Sequence, residues 1–425
     1  MNHRTDADRW NFFANVMDGA LFSFGMSLVS QATVLPVYVR SIGGGNLAVG
    51  LIPAIWTFGF NGPQFFIARH AQAAPSKKAL LLKTAIGQRI PWLIMAGATF
   101  LLAGEMSTET GLAVFFAIYA LAAVGGSLNL PVWFDLIATL TPVRRRGVLF
   151  GMRSILGSLL GILGGAIAAY VLQEFPSSSG FALLMLLAFL SMTASYGFLM
   201  TLKEMLESPL KGGRSGAGAF GGILIHLRRD KRIRNFVIAD ALQVSAGMGL
   251  AFYTVHAVEK FSLPESAAGE FTMIMMAATM AGGLVFGAIA DRFGHRVNLM
   301  AMAGATLVSS LTALFANDAT LYAIVFVFAA LSIVLGMISR LPFLAELSSE
   351  AERPSVVALA NLITSPFVFW GVAGGLIADA AGYDAVFCIA GFFALAALLW
   401  LGLKVHEPRR SVVAQNVKSA TPGAV

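Results

Sequence analysis

Runs of about twenty apolar residues, the length a helix needs to cross bilayer hydrocarbon, recur along most of this chain with few charges inside them. We read twelve spans, at about 10–39, 47–68, 79–103, 111–141, 147–173, 180–202, 234–258, 266–290, 297–316, 320–346, 355–380 and 384–404. Of the 425 residues, 57% are hydrophobic and only 12% charged. A soluble domain carries roughly a quarter charged residues, so this chain has too little polar surface to face water. The expected fold class is all-α integral membrane, and a soluble enzyme is excluded.

The net charge of +7 raises the question of a nucleic-acid partner, which the placement of the basic residues answers. Arg69, Lys77 and Lys78, the run Arg144 to Arg146, the cluster Arg228 to Arg234 and the tail with Arg409 and Arg410 all fall on one side of the spans. The other side holds only Arg40 and Lys260. By the positive-inside rule, that bias sets orientation and implies no nucleic acid. Both termini are expected in the cytoplasm, with the chain in the inner (plasma) membrane of a bacterium. The polar start MNHRTDADRW leads into an apolar run too long for a secretory signal, so it reads as a retained first helix. One cysteine, Cys388, excludes a disulfide framework and any multi-cysteine metal site; no metal or other cofactor is expected.

Four segments follow: a six-span bundle at 1–205, a linker at 206–229, a second bundle at 230–410 and a tail at 411–425. The linker holds GAGAFG, a chance match to the dinucleotide fingerprint with no strand before it. The sequence ILIHLRRDKRIR after it suits a short amphipathic helix on anionic lipid headgroups.

The two bundles repeat each other. Asp18, Ser23, Gly25 and Met26 in span one recur as Asp240, Ser245, Gly247 and Met248 in span seven, an offset of 222. Gly161, Gly164 and Gly165 in span five recur as Gly371, Gly374 and Gly375 in span eleven. Pro131 and Asp135 in span four match Pro342 and Glu346 in span ten. Three matched pairs in matching helices indicate a duplicated six-helix unit.

The loop after span eight reads Gly287-Ala-Ile-Ala-Asp291-Arg292-Phe-Gly294-His-Arg296. It resembles the G-x-x-x-D-R-x-G-R-R signature of the major facilitator superfamily, and the twelve spans, central loop and PVRRRG segment at 142–147 are similar to that family throughout. The resemblance implies two pseudo-symmetric six-helix bundles and secondary transport. It also gives Gly287, Asp291, Arg292, Gly294 and Arg296, with Asp135 and Glu346, a role in a cytoplasmic gate. Asp291 is expected to satisfy N–H groups at a helix start, and Arg292 to reach an acid such as Glu346. Asp135 is expected to pair with Arg69 or with Arg144 to Arg146. The first-half copy of the motif departs from the pattern, because Arg69 stands where the repeat has Asp291. Span five has Gly161-Ile162 in place of the Gly-Pro pair of the drug-exporting antiporters.

Polar residues that lipid makes expensive mark the candidate site. Asp18 lies roughly 12 Å along its helix from Trp10, with Asn15 and Phe22 on its face; Gln243 stands three residues beyond Asp240. Both acids are expected to look into the space between the halves. A carboxyl sheltered from water without a fixed cation favours its protonated form, so Asp18, with Asp240, is the proton-coupling candidate. The alternative is that each acid forms a static pair with an arginine. Arg89, Arg153 and Arg340 could each clamp an anion or neutralise an acid. Gln31, Trp56, Asn61, Gln64, Trp133, Tyr253 and Trp370 complete the expected cavity wall with Asn15, Arg89, Gln243 and Arg340, unless those aromatics face lipid.

No catalytic motif, ATP-binding loop or repeated pore loop is present in the sequence. The expected function is export of a small amphipathic solute in exchange for protons, by a monomer working through alternating access. The alternatives are uptake of a metabolite or organic anion through Arg89, and a sensor on the same scaffold.

Overall fold

The computed structural model describes residues 2–61, 63, 76–101, 107–175, 177–204, 230–349 and 352–408. The linker at 206–229, most of the amphipathic segment, Gln64, Arg69 and the tail at 411–425 lie outside the described residues.

The described residues form helices and no strand. The first half contains α1 (Asn2–Leu28), α2 (Val34–Ser41), α3 (Asn46–Asn61), α4 (Lys77–Leu101), α5 (Thr108–Leu140), α6 (Val143–Glu174) and α7 (Ser178–Met200). The second contains α8 (Lys231–Ala246), α9 (Tyr253–Phe261), α10 (Ala267–Phe293), α11 (His295–Phe315), α12 (Ala319–Leu347), α13 (Arg353–Thr364) and α14 (Trp370–Lys404), the last divided at Gly382 (φ 81°). These helices follow the twelve-span pattern. Eight described stretches are each long and apolar enough to cross a membrane. Large apolar side chains lie bare on their outer faces, with Phe315, Met337 and Leu403 each more than 70% exposed, as a lipid solvent allows.

Among the described residues, three spans are not continuous helices. Span one breaks between α1 and α2, where Val34 and Leu35 both donate to the Ser30 carbonyl. Span seven breaks in the 3₁₀ turn Gly247–Ala251, and span eleven in the 3₁₀ turn Ser365–Phe369. Gly247 and Gly249 loosen the first of these turns, and Pro366 removes an N–H from the second. Helix starts are capped by side chains: Ser107 accepts from the Thr110 N–H, Asp318 from Leu321 and Asp230 from Arg232. Partial burial opposes ionisation of Asp230, but hydrogen bonds from Arg232 and its positive charge outweigh that and hold the carboxyl below its ordinary value.

The chain divides into two compact units. One comprises residues 1–214, 250–280 and 371–383, and the other residues 215–249, 281–370 and 384–425. The first unit thus takes in the ends of spans seven, eight and eleven remote from the termini. Its core gathers Tyr38, Trp92, Phe115, Tyr119 and Phe181, all nearly or fully buried. The second has Phe236 against Phe343 at 5.1 Å between ring centres, packed with Leu299, Leu335 and Leu401.

Candidate functional site

In the first unit the polar side chains converge on Asp18. It sits in mid-helix on α1, 4% exposed, between α6 and α7. Ser195 on α7 donates its hydroxyl to Oδ1 at 2.7 Å, and Arg153 on α6 meets Oδ2 at 3.0 Å. Arg153 also donates to the Asn15 carbonyl and lies over the Trp133 ring, 4.7 Å from its centre. Gly19 makes room for this arrangement, because a Cβ there would fall on the Arg153 guanidinium. Arg89 on α4 joins from the other side, donating to Ser195 Oγ at 3.2 Å, to the Met192 carbonyl at 2.7 Å and to the Ala85 carbonyl at 2.9 Å. Tyr196 and Phe22 flank its guanidinium. One buried carboxylate therefore serves two arginines, one directly and one through a serine.

In the second unit Asp240 on α8 is gripped by Arg340 on α12. Nε and Nη2 reach its two oxygens at 2.7 to 2.9 Å. Nη1 of Arg340 donates to Asn361 Oδ1 at 2.9 Å, and Nη2 lies 3.5 Å from the Thr364 hydroxyl. Gln243 lies in a separate cluster with Thr306 and Ser332.

These contacts correct several expectations. Neither Asp18 nor Asp240 lacks a cation; each is paired within its own half. Arg89 is 4% exposed and spends its donors on backbone and serine, so it is no open anion clamp. Asn15 is fully buried and donates to the Asn11 carbonyl of its own helix. Asn61 is exposed, Gln31 is half-buried in the break between α1 and α2, and Tyr253 is buried at the start of α9. Trp56 stacks on Phe60 and packs on Tyr119, while Trp370 meets Phe393 at 4.9 Å. Of the expected wall residues, Arg89, Trp133 and the Asn15 carbonyl are brought into the Asp18 cluster.

The gate motif also differs from expectation. Asp291 lies in the last turn of α10, not at a helix start, because the helix runs on to Phe293 and stops only at Gly294. Arg292 is exposed and lies over Phe293 at 5.3 Å, while Glu346 approaches His295 Nε2 at 4.0 Å. Gly287 is half-buried on α10. Arg296 donates to the Leu401 and Gly402 carbonyls, and its own N–H goes to Glu407 at 3.0 Å. Gly294 has φ 90°, and a Cβ there would strike the Glu407 carboxylate. The loop is thus fastened to the end of α14 and the residues after it. Asp135 pairs with Lys77 at 2.7 Å, and Arg146 donates instead to the Ala138 and Thr141 carbonyls.

Within the first unit, the ends of spans one, two and five remote from the termini are sealed against those of spans seven, eight and eleven. Arg40 reaches Glu259 at 3.0 Å and both Asn46 and Tyr383 at 2.6 Å, and Asn46 donates to Asp379 at 2.7 Å. Thr33 and Thr272 share a hydrogen bond of 2.5 Å. Glycines set the distances: a Cβ on Gly165 would come within 2.7 Å of Met273, and one on Gly375 within 2.6 Å of the Asn46 carbonyl.

Residues 241–422 match the family model described as Major Facilitator Superfamily. No curated protein matches the sequence. Among solved structures, a variant of the nucleoside transporter NupG superposes with a TM-score of 0.71 at 12% identity, covering 94% of this chain and 100% of its own. A D-xylose–proton symporter gives 0.67 at 14% identity, covering 93% and 98%. A bacterial homologue of the human lysosomal transporter Spinster, inward-facing and unoccupied, gives 0.62 at 13% identity, covering 95% and 96%.

Proposed function

We propose that this chain, which has the fold of the major facilitator superfamily, is a secondary active transporter of a small organic solute, driven by protons that act at Asp18. The observation that carries this reading is the Asp18–Arg153 pair with Ser195 and Arg89 behind it, deep in a membrane-spanning bundle. Lipid makes ionised groups costly, and an apolar pair of the same volume would serve packing at least as well. A proton on Asp18 removes the charge that holds Arg153 and leaves a guanidinium seated on Trp133, available to an anionic or strongly polar group. Asp240 and Arg340 offer a second pair of the same kind. The two six-helix halves rock about these pairs, and the seal at Arg40, Thr33 and Gly375 is the gate on the external side.

Proton exchange against an exported amphipathic solute is one direction such a device supports. The ion-paired state of both acids favours a second, in which the proton that frees Arg153 travels together with an organic anion. Purified protein in liposomes with an imposed pH gradient distinguishes them. Solute accumulation on the alkaline side indicates symport, and accumulation on the acid side indicates exchange. Gradient-driven movement that persists undiminished in Asp18→Asn would overturn the role given to Asp18.

A further inference from the structure

The first unit holds a cavity of about 360 Å³ among the ends of α2, α4, α5 and α7 on the external side. Its floor is buried and mixed in character. The Tyr38 hydroxyl and Thr99 Oγ1 are hydrogen-bonded at 2.8 Å beside Met95 and Phe115, with the Tyr38 and Phe115 rings edge to face at 5.4 Å. The mouth is ringed by the hydroxyls of Ser41, Ser107, Thr108 and Ser178, each at or near a helix end. Among the described residues no charged side chain lines it, so the described lining offers a counter-ion to neither an anion nor a cation. Hydroxyls over an apolar aromatic floor suit an uncharged ligand with many hydroxyls and one hydrophobic face.

The cavity also adjoins the seal. Its wall includes Ile42 and Gly43, in the turn that carries Arg40. That turn is closed by Gly43 and Gly44 N–H bonds to the Arg40 and Val39 carbonyls, and Arg40 donates back to the Gly44 carbonyl at 3.1 Å. Gly43 has φ 88°, and a Cβ there would come within 2.8 Å of Thr108 Oγ1, so the turn rests closely on the start of α5. We propose that this cavity binds a neutral polyol of monosaccharide size, and that its occupancy steadies the Arg40 turn and so favours the sealed external gate. The site is separate from the Asp18 cluster.

The test uses the full chain in lipid nanodiscs free of glycosidic detergent, with myo-inositol and D-glucose as probes and gluconate and glucosamine as charged controls. The neutral pair raises the melting temperature in a concentration-dependent way and the charged pair does not. Gly111 lines the cavity, and a Cβ there meets nothing within 4 Å, so Gly111→Leu fills the space and abolishes the shift. Thr99→Val, which removes one floor hydroxyl, weakens it, and Asp18→Asn leaves it intact. In a Cys388→Ser background, inositol speeds disulfide formation between Thr33→Cys and Thr272→Cys, and Gly111→Leu removes that acceleration. An equal shift in Gly111→Leu, an equal response to gluconate or glucosamine, or no shift with either polyol overturns the site. An unchanged disulfide rate overturns its coupling to the gate.

Discussion

The Thr254 hydroxyl donates a 2.8 Å hydrogen bond to the carbonyl of Ala32, and these two residues stand 222 positions apart, the offset that relates Asp18 to Asp240. The contact thus joins two positions that the sequence repeat makes equivalent, one in the break of span one and one just after the break of span seven. Thr33, beside Ala32, meets Thr272. The seal is therefore anchored at interrupted helices, where the ladder of backbone hydrogen bonds gives way most easily.

If this anchor must part during transport, tying it shut stops the cycle. Thr33→Cys with Thr272→Cys, in a Cys388→Ser background, should form a disulfide under oxidant, since their oxygens already lie 2.5 Å apart. Transport in liposomes should fall to background when oxidised and return on reduction. Full activity in the cross-linked protein would show that this contact does not open.

Arg153→Ala leaves the buried Asp18 carboxylate without its ion-pair partner, held by the Ser195 hydroxyl, and should cost about 3–5 kcal/mol, the range for breaking a buried pair. Adding Asp18→Asn removes the stranded charge, so the double variant should regain much of that stability. The comparison is a double-mutant cycle of melting temperatures in detergent. Simple additivity would mean that the two side chains are not coupled.

Arg340→Lys keeps the positive charge but loses the planar fork that spans Asp240 and Asn361. Stability should drop, and transport should fall at least tenfold if the fork shapes the site. Wild-type behaviour of the lysine variant would reduce the pair to simple charge balance.

Gly294→Ala places a Cβ at φ 90° against the Glu407 carboxylate. It should destabilise the fold by about 1 kcal/mol or more, because an L residue is strained there. The loss should be smaller when Glu407→Ala is added, and thermal melts of the three variants measure this.

The spans and the duplication were legible because lipid restricts composition over twenty-residue windows and a repeat leaves matched residues behind. The partners of the acids were not legible, because the repeat does not extend to the arginines. Pro131 and Pro342 fix an offset of 211, which sets Asn129 opposite Arg340; Gly161 and Gly371 fix an offset of 210, which sets Ile363 opposite Arg153. Asn129 is bonded to Gln88 and Thr84 instead. Each half solves the pairing of its acid from a different helix. Ser195 is one of several hydroxyls in its span, with Ser191, Thr193 and Tyr196, and no spacing signal marks it out. Glu407 and Lys77 hold their partners through the meeting of distant chain ends, which local pattern does not encode. Asp291 was misplaced for a simpler reason: no glycine or proline lies between it and Gly294, where the helix stops.

Beside the Arg40 cluster, the end remote from the termini is closed by uncharged contacts: a pair of threonine hydroxyls, a hydroxyl on a carbonyl, and backbone lying on glycine. Dissolved ions screen none of these appreciably, and the one Arg40–Glu259 pair is partly open to solvent. The balance between shut and open proposed for that end should therefore depend only weakly on ionic strength, so that a change in salt alters the driving gradients without unlatching the door.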